Sequence, residues 1–196
     1  MTSVVAVEAA QVAVGDAEAE QLAGLVAGAR TGDRAALERL LETIERRVYV
    51  LAYRLVGDPV AAEDVSQEVF LKICRRLDQY RGGSFLGWVY RMVVNQAHDY
   101  RRTAGPRTEE IGDDVATAGY DADREEQLRR LGAAMQTLTE KERTALVLTE
   151  IEGFSSAEAA RIAGCLRVTL RVRAAQARKK IRRALSRYYP ELREAK

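Results

Sequence analysis

Apolar residues recur at three- and four-residue steps through most of the first hundred positions, and this spacing predicts a series of amphipathic helices. A first, short stripe consists of Leu22, Leu25, Val26 and Ala29. The longest stripe consists of Leu37, Leu40, Leu41, Ile44, Val48, Leu51, Ala52 and Leu55. Two further stripes are Val65, Val69, Ile73 and Leu77, and then Phe85, Trp88, Val89, Met92, Val93 and Ala97. We therefore expect a helical bundle over residues 21–103.

Residues that cap or interrupt helices separate these stripes. Asp33 and Asp58 each precede an apolar stripe, and Pro59 suits the first position of a helix. A glycine pair at 82–83 ends the third long pattern, and Ser84 can cap the helix that follows. The bundle is therefore expected to contain four helices with short connections.

The periodicity disappears over residues 104–124, where Gly105-Pro106 stands among acidic residues, a composition typical of a flexible linker. Residues 1–20 are rich in Ala, Val and Gly, and we expect a mobile extension there. The predicted fold is all-α, with two small helical domains, 21–103 and 125–190, joined by a flexible acidic linker.

Two capping boxes mark helix starts in the second half. Thr139 pairs with Glu142, and Ser155 pairs with Glu158. The second box starts a short helix that ends at Gly164 and is followed by a long basic helix, predicted to run from about residue 168 to residue 188. This arrangement is typical of a helix-turn-helix.

Positive charge is concentrated in this last segment, although the formal net charge of the chain is only +2. Residues 161–196 hold twelve Lys and Arg residues against two acids. Such segregation favours a polyanionic partner, and a solvated basic helix is the alternative reading of the charge alone.

The chemistry-bearing residues argue against an enzyme or a metalloprotein. Cys74, Cys165 and His98 are too few for a disulfide framework or a four-ligand zinc site. Paired carboxylates and a glycine-rich phosphate loop are absent from the sequence, so we expect no catalytic residue, metal or cofactor. Because no apolar run reaches about 18–20 residues and residues 1–21 lack Lys and Arg, we expect no membrane insertion and a cytoplasmic location.

Three segments resemble, in order and spacing, the motifs of the extracytoplasmic-function (ECF) sigma factors, which form group 4 of the bacterial sigma-70 family. The first is AEDVSQEVF at 62–70, and the second is FLGWVYRMVVN from residue 85, with its following arginines. The third runs from Leu138 through EIEGFSSAEAA to Arg178. The resemblance covers about residues 22–188. It implies a promoter-recognition subunit of RNA polymerase without catalysis of its own.

The resemblance also implies a division of work and a set of partners. The first domain would bind core RNA polymerase and open the −10 element, and the second would bind the −35 element as duplex promoter DNA. An anti-sigma factor is the further partner that the family implies.

The resemblance implies that the chain docks on polymerase through four residues, Glu63, Asp64, Gln67 and Glu68. Their spacing places them on one polar flank of a helix, opposite the apolar stripe, and a merely solvated face is the alternative reading. The candidate residues for the melted −10 strand are Tyr80, Ser84, Phe85, Trp88, Arg91, Asn95, Arg101 and Arg102. Rings can stack on bases, cations bind phosphates and an amide reads base edges. Phe85 and Trp88 also fit a core, and we expect them to be at least half core.

The candidate −35 residues are Arg167, Thr169, Arg171, Val172, Arg173, Gln176 and Lys179. Arg reads guanine and Gln reads adenine in the major groove. The chain departs from the family pattern at Arg167, Val168, Val172, Ala175 and Gln176. The fold should survive these departures, but the base sequence that the helix reads cannot be carried over from the family.

The alternative function is a stand-alone helix-turn-helix regulator whose first domain senses a signal or dimerises. Such a regulator needs neither the acidic segment 62–68 nor a cluster of Trp, Arg and Asn residues, so the sequence favours the sigma-factor hypothesis.

Overall fold

The computed structural model describes residues 16–104 and 122–193. All secondary-structure elements within these two ranges are helices, and this confirms the all-α prediction. We call the helices before the gap the N-terminal unit and those after it the C-terminal unit.

The N-terminal unit consists of four helices in the order expected from the apolar stripes. They are α1 (Asp16–Arg30), α2 (Arg34–Val56), α3 (Pro59–Arg76) and α4 (Phe85–Ala104), with one 3-10 turn, Leu77–Gln79, after α3. Helix α2 packs against α1, α3 and α4. The longest predicted stripe lies on α2, and Leu40, Ile44, Val48 and Leu51 are completely buried there.

The predicted caps are present in this unit. Asp33, Asp58 and Ser84 each accept a hydrogen bond from the backbone N–H three residues further on. Gly57 ends α2 with a φ of +79°, and its N–H donates to the Tyr53 carbonyl. A left-handed residue in this position is most easily a glycine.

The C-terminal unit contains the predicted helix-turn-helix. Its helices are α5 (Ala122–Gln136), α6 (Glu140–Leu146), α7 (Ser156–Ile162) and α8 (Arg167–Leu185), with a π-helical turn, Val147–Ile151, and a final 3-10 turn, Pro190–Arg193. Both predicted capping boxes are formed, at the starts of α6 and α7. Helix α8 packs against α5, α6 and α7.

Three predicted boundaries need correction. Helix α1 begins at Asp16, inside the predicted extension 1–20, and Glu18 forms an ion pair of 2.5 Å with Arg47 on α2. Helix α5 begins at Ala122, inside the predicted linker 104–124, because acidic residues also favour the first turn of a helix. Helix α8 ends at Leu185, before the predicted residue 188. Residues 1–15 and 105–121 lie outside the described part, so the predictions for them are not examined.

The two units share one apolar core. Its largest cluster joins buried residues of α1–α4 to Ala145, Val147, Leu148, Ala159 and Leu170 of the C-terminal unit. A smaller cluster of Leu138, Leu146 and Ala177 lies under α8. The units therefore pack against each other in this structure, while their division into two domains stays a prediction.

Candidate nucleic-acid interface

The acidic segment forms an exposed stripe on α3. Glu63, Asp64, Gln67 and Glu68 are all exposed. The opposite side of the helix is buried, and its members are Ala61, Ala62, Val65, Ser66, Val69 and Ile73. Among the described residues, none pairs with the three carboxylates in a salt bridge. The structure thus brings the four predicted docking residues together on one accessible acidic surface, and their role stays a prediction.

Three aromatic rings pack together where the chain enters α4. The ring centroids of Tyr80, Phe85 and Trp88 lie 5.5–5.7 Å apart. The Tyr80 hydroxyl donates to the Gly83 carbonyl at 2.5 Å, which ties the glycine loop to the cluster. Burial raises the pKa of the Tyr80 phenol. Phe85 is buried and Trp88 is half-buried, so the expectation that both are at least half core is consistent with their positions.

The polar candidates on α4 occupy different environments. Arg91 and Asn95 lie one turn apart, and both are exposed. Arg102 is also exposed and pairs with Asp99 at 2.9 Å. Arg101 is half-buried and turns back into the protein, where its guanidinium donates to a backbone carbonyl at the end of α2. Arg91 and Asn95 are therefore open to a nucleic acid strand, whereas Arg101 already has a structural contact.

A buried carboxylate links the two units. The Glu152 side chain is 3% exposed, and one of its oxygens lies 2.5 Å from an Arg54 nitrogen on α2. The other accepts a hydrogen bond of 3.2 Å from the Tyr90 hydroxyl on α4. Burial and the adjacent negative charge raise the pKa of Tyr90 far above its ordinary value. The Phe154 ring packs edge-on against Tyr90, with the centroids 5.6 Å apart.

A buried guanidinium forms a second link. Arg143 on α6 donates to the Leu55 carbonyl of α2 at 3.3 Å and to the Met135 carbonyl at 2.8 Å. Burial, reinforced by the positive charge of Arg101, lowers the pKa of Arg143 to about 10. A Cβ at Gly57 would lie 3.3 Å from this guanidinium, a tight contact, and the φ of +79° already favours glycine at this turn.

A histidine forms the third link. His98 Nε2 on α4 lies 2.9 Å from the Thr144 hydroxyl on α6. Burial lowers the pKa of His98, because the charged imidazolium loses water at this interface. The contacts between the two units were not predicted from the sequence, since each joins residues at least 46 positions apart.

Helix α8 presents most of its basic residues away from this interface. Arg167, Arg171, Val172, Gln176 and Lys179 are exposed, and Thr169 and Arg173 are half-buried. Leu170, Ala174 and Ala177 form the buried stripe, as expected. Among the basic side chains of the helix, Arg178 pairs with Glu150 and Lys180 with Glu142, each at 2.7 Å. The candidate −35 residues thus lie along one helix, but not all on one face.

The fold and these surfaces define an all-α helix-turn-helix protein with a basic last helix and, on a separate surface, an exposed acidic stripe. Residues 40–107 match the family Sigma-70 region 2, and residues 128–181 match Sigma-70, region 4. The ECF RNA polymerase sigma factor SigE of Mycolicibacterium smegmatis is 35% identical over 172 residues, which cover 82% of this chain and 67% of that protein. The RNA polymerase sigma-H factor of Pseudomonas aeruginosa is 33% identical over 192 residues, covering 90% and 98%.

Solved structures show the same fold. CnrH, solved in complex with the cytosolic domain of CnrY, superposes with a TM-score of 0.65 at 23% identity, and the match covers 85% of this chain and 97% of CnrH. RpoE of Bartonella quintana, solved with the anti-sigma factor NepR, has a TM-score of 0.62 at 23% identity and covers 76% and 96%.

This chain therefore belongs to the ECF family of RNA polymerase sigma factors, and it is a promoter-directing subunit. Sigma factors are initiation factors and not enzymes. Among the helices of the described part, none is both long and apolar enough to span a membrane.

Proposed function

We propose that this sigma factor docks on core RNA polymerase through the exposed stripe of α3, holds the melted −10 strand on α4, and binds the −35 duplex with α8. The observation that carries the proposal is the composition of α8. Its sequence RVTLRVRAAQARKKIRRAL contains eight basic residues and no acidic residue, and its buried stripe leaves the opposite face to solvent. A helix of this charge that follows a short capped helix fits the major groove of DNA.

The proposed −10 site combines the half-buried ring of Trp88 with exposed polar side chains. Trp88 is only partly covered, and it lies beside the loop at 82–84. Exposed Arg91 and Asn95 follow it along α4. Stacking on an aromatic ring is worth about 1–3 kcal/mol per base, similar to the cost of unstacking a base, so captured bases can offset local melting. The Trp88 ring would stack on a base, the Arg91 guanidinium would bind a phosphate, and the Asn95 amide would contact a base edge.

The first experiment tests the α3 docking surface with Asp64→Arg. We expect this charge reversal to weaken core polymerase binding at least about tenfold, or about 1.4 kcal/mol, and to reduce run-off transcription in parallel. Because Asp64 is exposed, the helix content measured by circular dichroism should not change. The matched control is Glu20→Arg, which reverses an exposed acid on α1. Equal core affinity for Asp64→Arg and the wild-type chain would leave the stripe as a solvated face.

The second experiment compares two arginines of α8 in a reconstituted holoenzyme. Arg171 is exposed near the N-terminus of the helix, whereas Arg173 is half-buried and lies about 200° further around the axis. We expect Arg171→Ala to cost about 1–3 kcal/mol on the preferred promoter and little on random duplexes. Arg173→Ala should instead weaken all duplexes alike and reduce the slope of log K against log salt by about 1. Equal losses on both duplexes for Arg171→Ala would contradict its assignment to a base.

The proposal also includes the cytoplasm as the place of action and an anti-sigma factor as a partner. Among the structural neighbours, RpoE of Bartonella quintana was solved with the anti-sigma factor NepR, and CnrH was solved with the cytosolic domain of CnrY. Such an inhibitor of this chain would compete with core polymerase for it in a pull-down, and simultaneous binding of both would contradict this part of the proposal.

A further inference from the structure

The outward face of α8 carries an apolar ridge where a surface helix normally carries charge. Val168 is 71% exposed and Val172 is 50% exposed. They lie one helical turn apart, and exposed Ala175 continues the same line. At 100° per residue, this line is almost diametrically opposite the buried Leu170 and Ala177. The ridge is therefore the part of the C-terminal unit that α8 presents furthest from its core.

Basic and polar side chains border the ridge. Arg171 flanks it on one side and Gln176 on the other, while Lys179 extends it, and all three are exposed. The one acid in the groove beside the ridge is Glu150, and Arg178 neutralises it at 2.7 Å. An apolar centre with a basic rim is complementary to the major groove, whose floor carries base edges and whose walls carry phosphates. Charge complementarity therefore favours duplex DNA as the occupant of this face.

We propose, on the basis of the function proposed above, that Val168 and Val172 determine promoter specificity by contacting thymine C5-methyl groups in the −35 duplex. The thymine methyl is the apolar group that the major groove offers. Valine cannot hydrogen-bond, so a guanine or cytosine edge pressed against it would lose its water without gaining a partner. The two residues are separated by about 6 Å along the helix, close to two base-pair steps of about 3.4 Å. The preferred site therefore contains thymines no more than two steps apart.

The test uses holoenzyme reconstituted from core RNA polymerase and the full chain. Duplexes with a randomised −35 window are selected by binding, and each thymine of the enriched site is then replaced by deoxyuridine, which removes only the methyl group. We expect one or two replacements to weaken binding about fourfold each, the value for one buried methyl-sized group at about 0.8 kcal/mol. Other thymines in the window should be insensitive.

The variants Val168→Ala and Val172→Ala assign each methyl group to a side chain. Alanine has the higher helix propensity, so α8 should remain folded. Each variant should lose the response to deoxyuridine at one position and retain it at the other. Leu128→Ala is the matched control, because it removes an apolar side chain that is 48% exposed on α5, and it should keep both responses.

The possible failures are distinguishable. An enriched −35 site without thymine, or a deoxyuridine response that is absent or identical in the valine variants, would overturn the methyl readout while leaving promoter binding by α8 intact. If the holoenzyme forms but enriches no sequence in the −35 window, the proposed role of α8 fails together with the readout.

Discussion

Glu152 shows how much a single side chain contributes to the contact between the two units. We expect Glu152→Gln to lower the free energy of unfolding by about 3 kcal/mol, because a broken buried pair leaves its partner charge without compensation. Arg54, the partner, is itself 24% exposed. Urea denaturation followed by circular dichroism measures the change.

The matched control for this prediction lies two residues earlier. Glu150→Gln breaks the ion pair with Arg178. The side chains of Glu150 and Arg178 are 43% and 51% exposed, so the loss of unfolding free energy should stay below about 1 kcal/mol. Similar losses for the two variants would show that burial of Glu152 adds nothing to its contribution.

His98 makes stability depend on pH. Because burial holds its folded pKa below the unfolded value of about 6.5, the unfolded chain binds the additional proton. The free energy of unfolding should therefore fall as the pH is lowered through about 6.5, and the decrease should level off below the folded pKa. His98→Gln should remove this contribution, as measured by urea titrations between about pH 7 and pH 5. An unchanged pH profile in the variant would assign the dependence to other groups.

At the scale of single residues, the sequence predicted contacts between neighbours in the chain but not contacts between residues far apart in the chain. Ser155 with Glu158 was predictable because a capping box lies within four consecutive residues. Arg143 lies inside the third family-like segment without a predicted contact, and its burial depends on α2, about ninety residues earlier. Neither residue spacing nor composition indicates which helix will cover a charged side chain.

At the scale of the element, α7 depends on its cap. It has seven residues, too few to be stable alone, and its first turn is closed by the Ser155 hydroxyl and the Glu158 carboxylate. Contact with Ser155 lowers the pKa of Glu158. We expect Ser155→Ala to cost about 1 kcal/mol of stability and to weaken promoter binding by α8, which α7 supports.

The adjacent serine provides the control. Ser156→Ala removes a hydroxyl for which the described part shows no hydrogen bond, so thermal denaturation should be nearly unchanged. A loss equal to that of Ser155→Ala would mean that the effect comes from the serine type and not from the cap.

Element order was predicted well because helical periodicity is a local signal of sufficient length. The π-helical turn at Val147–Ile151 was not predicted, since its i+5 pairing leaves the apolar spacing almost unchanged. The early start of α1 was missed for a different reason. Its first turn shows little apolar periodicity, and it is positioned by an ion pair between Glu18 and Arg47.

For the whole molecule, we expect limited proteolysis to cut first within residues 105–121, between α4 and α5, as the acidic aperiodic composition of this segment predicts. Because the units share a core, the two fragments should still elute together in gel filtration. Glu152→Arg, which places a second cation beside Arg54, should separate them, whereas Glu150→Arg should not. A single protected product that spans both units would contradict the predicted domain division.

The position of one unit against the other was the least predictable property of the chain. The surfaces between the units consist of residues that also suit other roles. Arg101 is an example, because the sequence predicted a DNA contact for it, whereas in the structure it donates to a backbone carbonyl at the end of α2. Only the three-dimensional packing shows that a side chain already has a contact.

The Leu55 carbonyl accepts from Arg101 of its own unit at 3.2 Å and from Arg143 of the other at 3.3 Å. This one oxygen therefore has a donor from its own unit and a donor from the other unit. Separation of the units removes the Arg143 donor and leaves the Arg101 donor in place. We therefore expect the chemical shift of a carbon-13 label at this carbonyl to change when the Arg143 donor is lost. Such a label makes Leu55 a spectroscopic gauge of the contact between the two units.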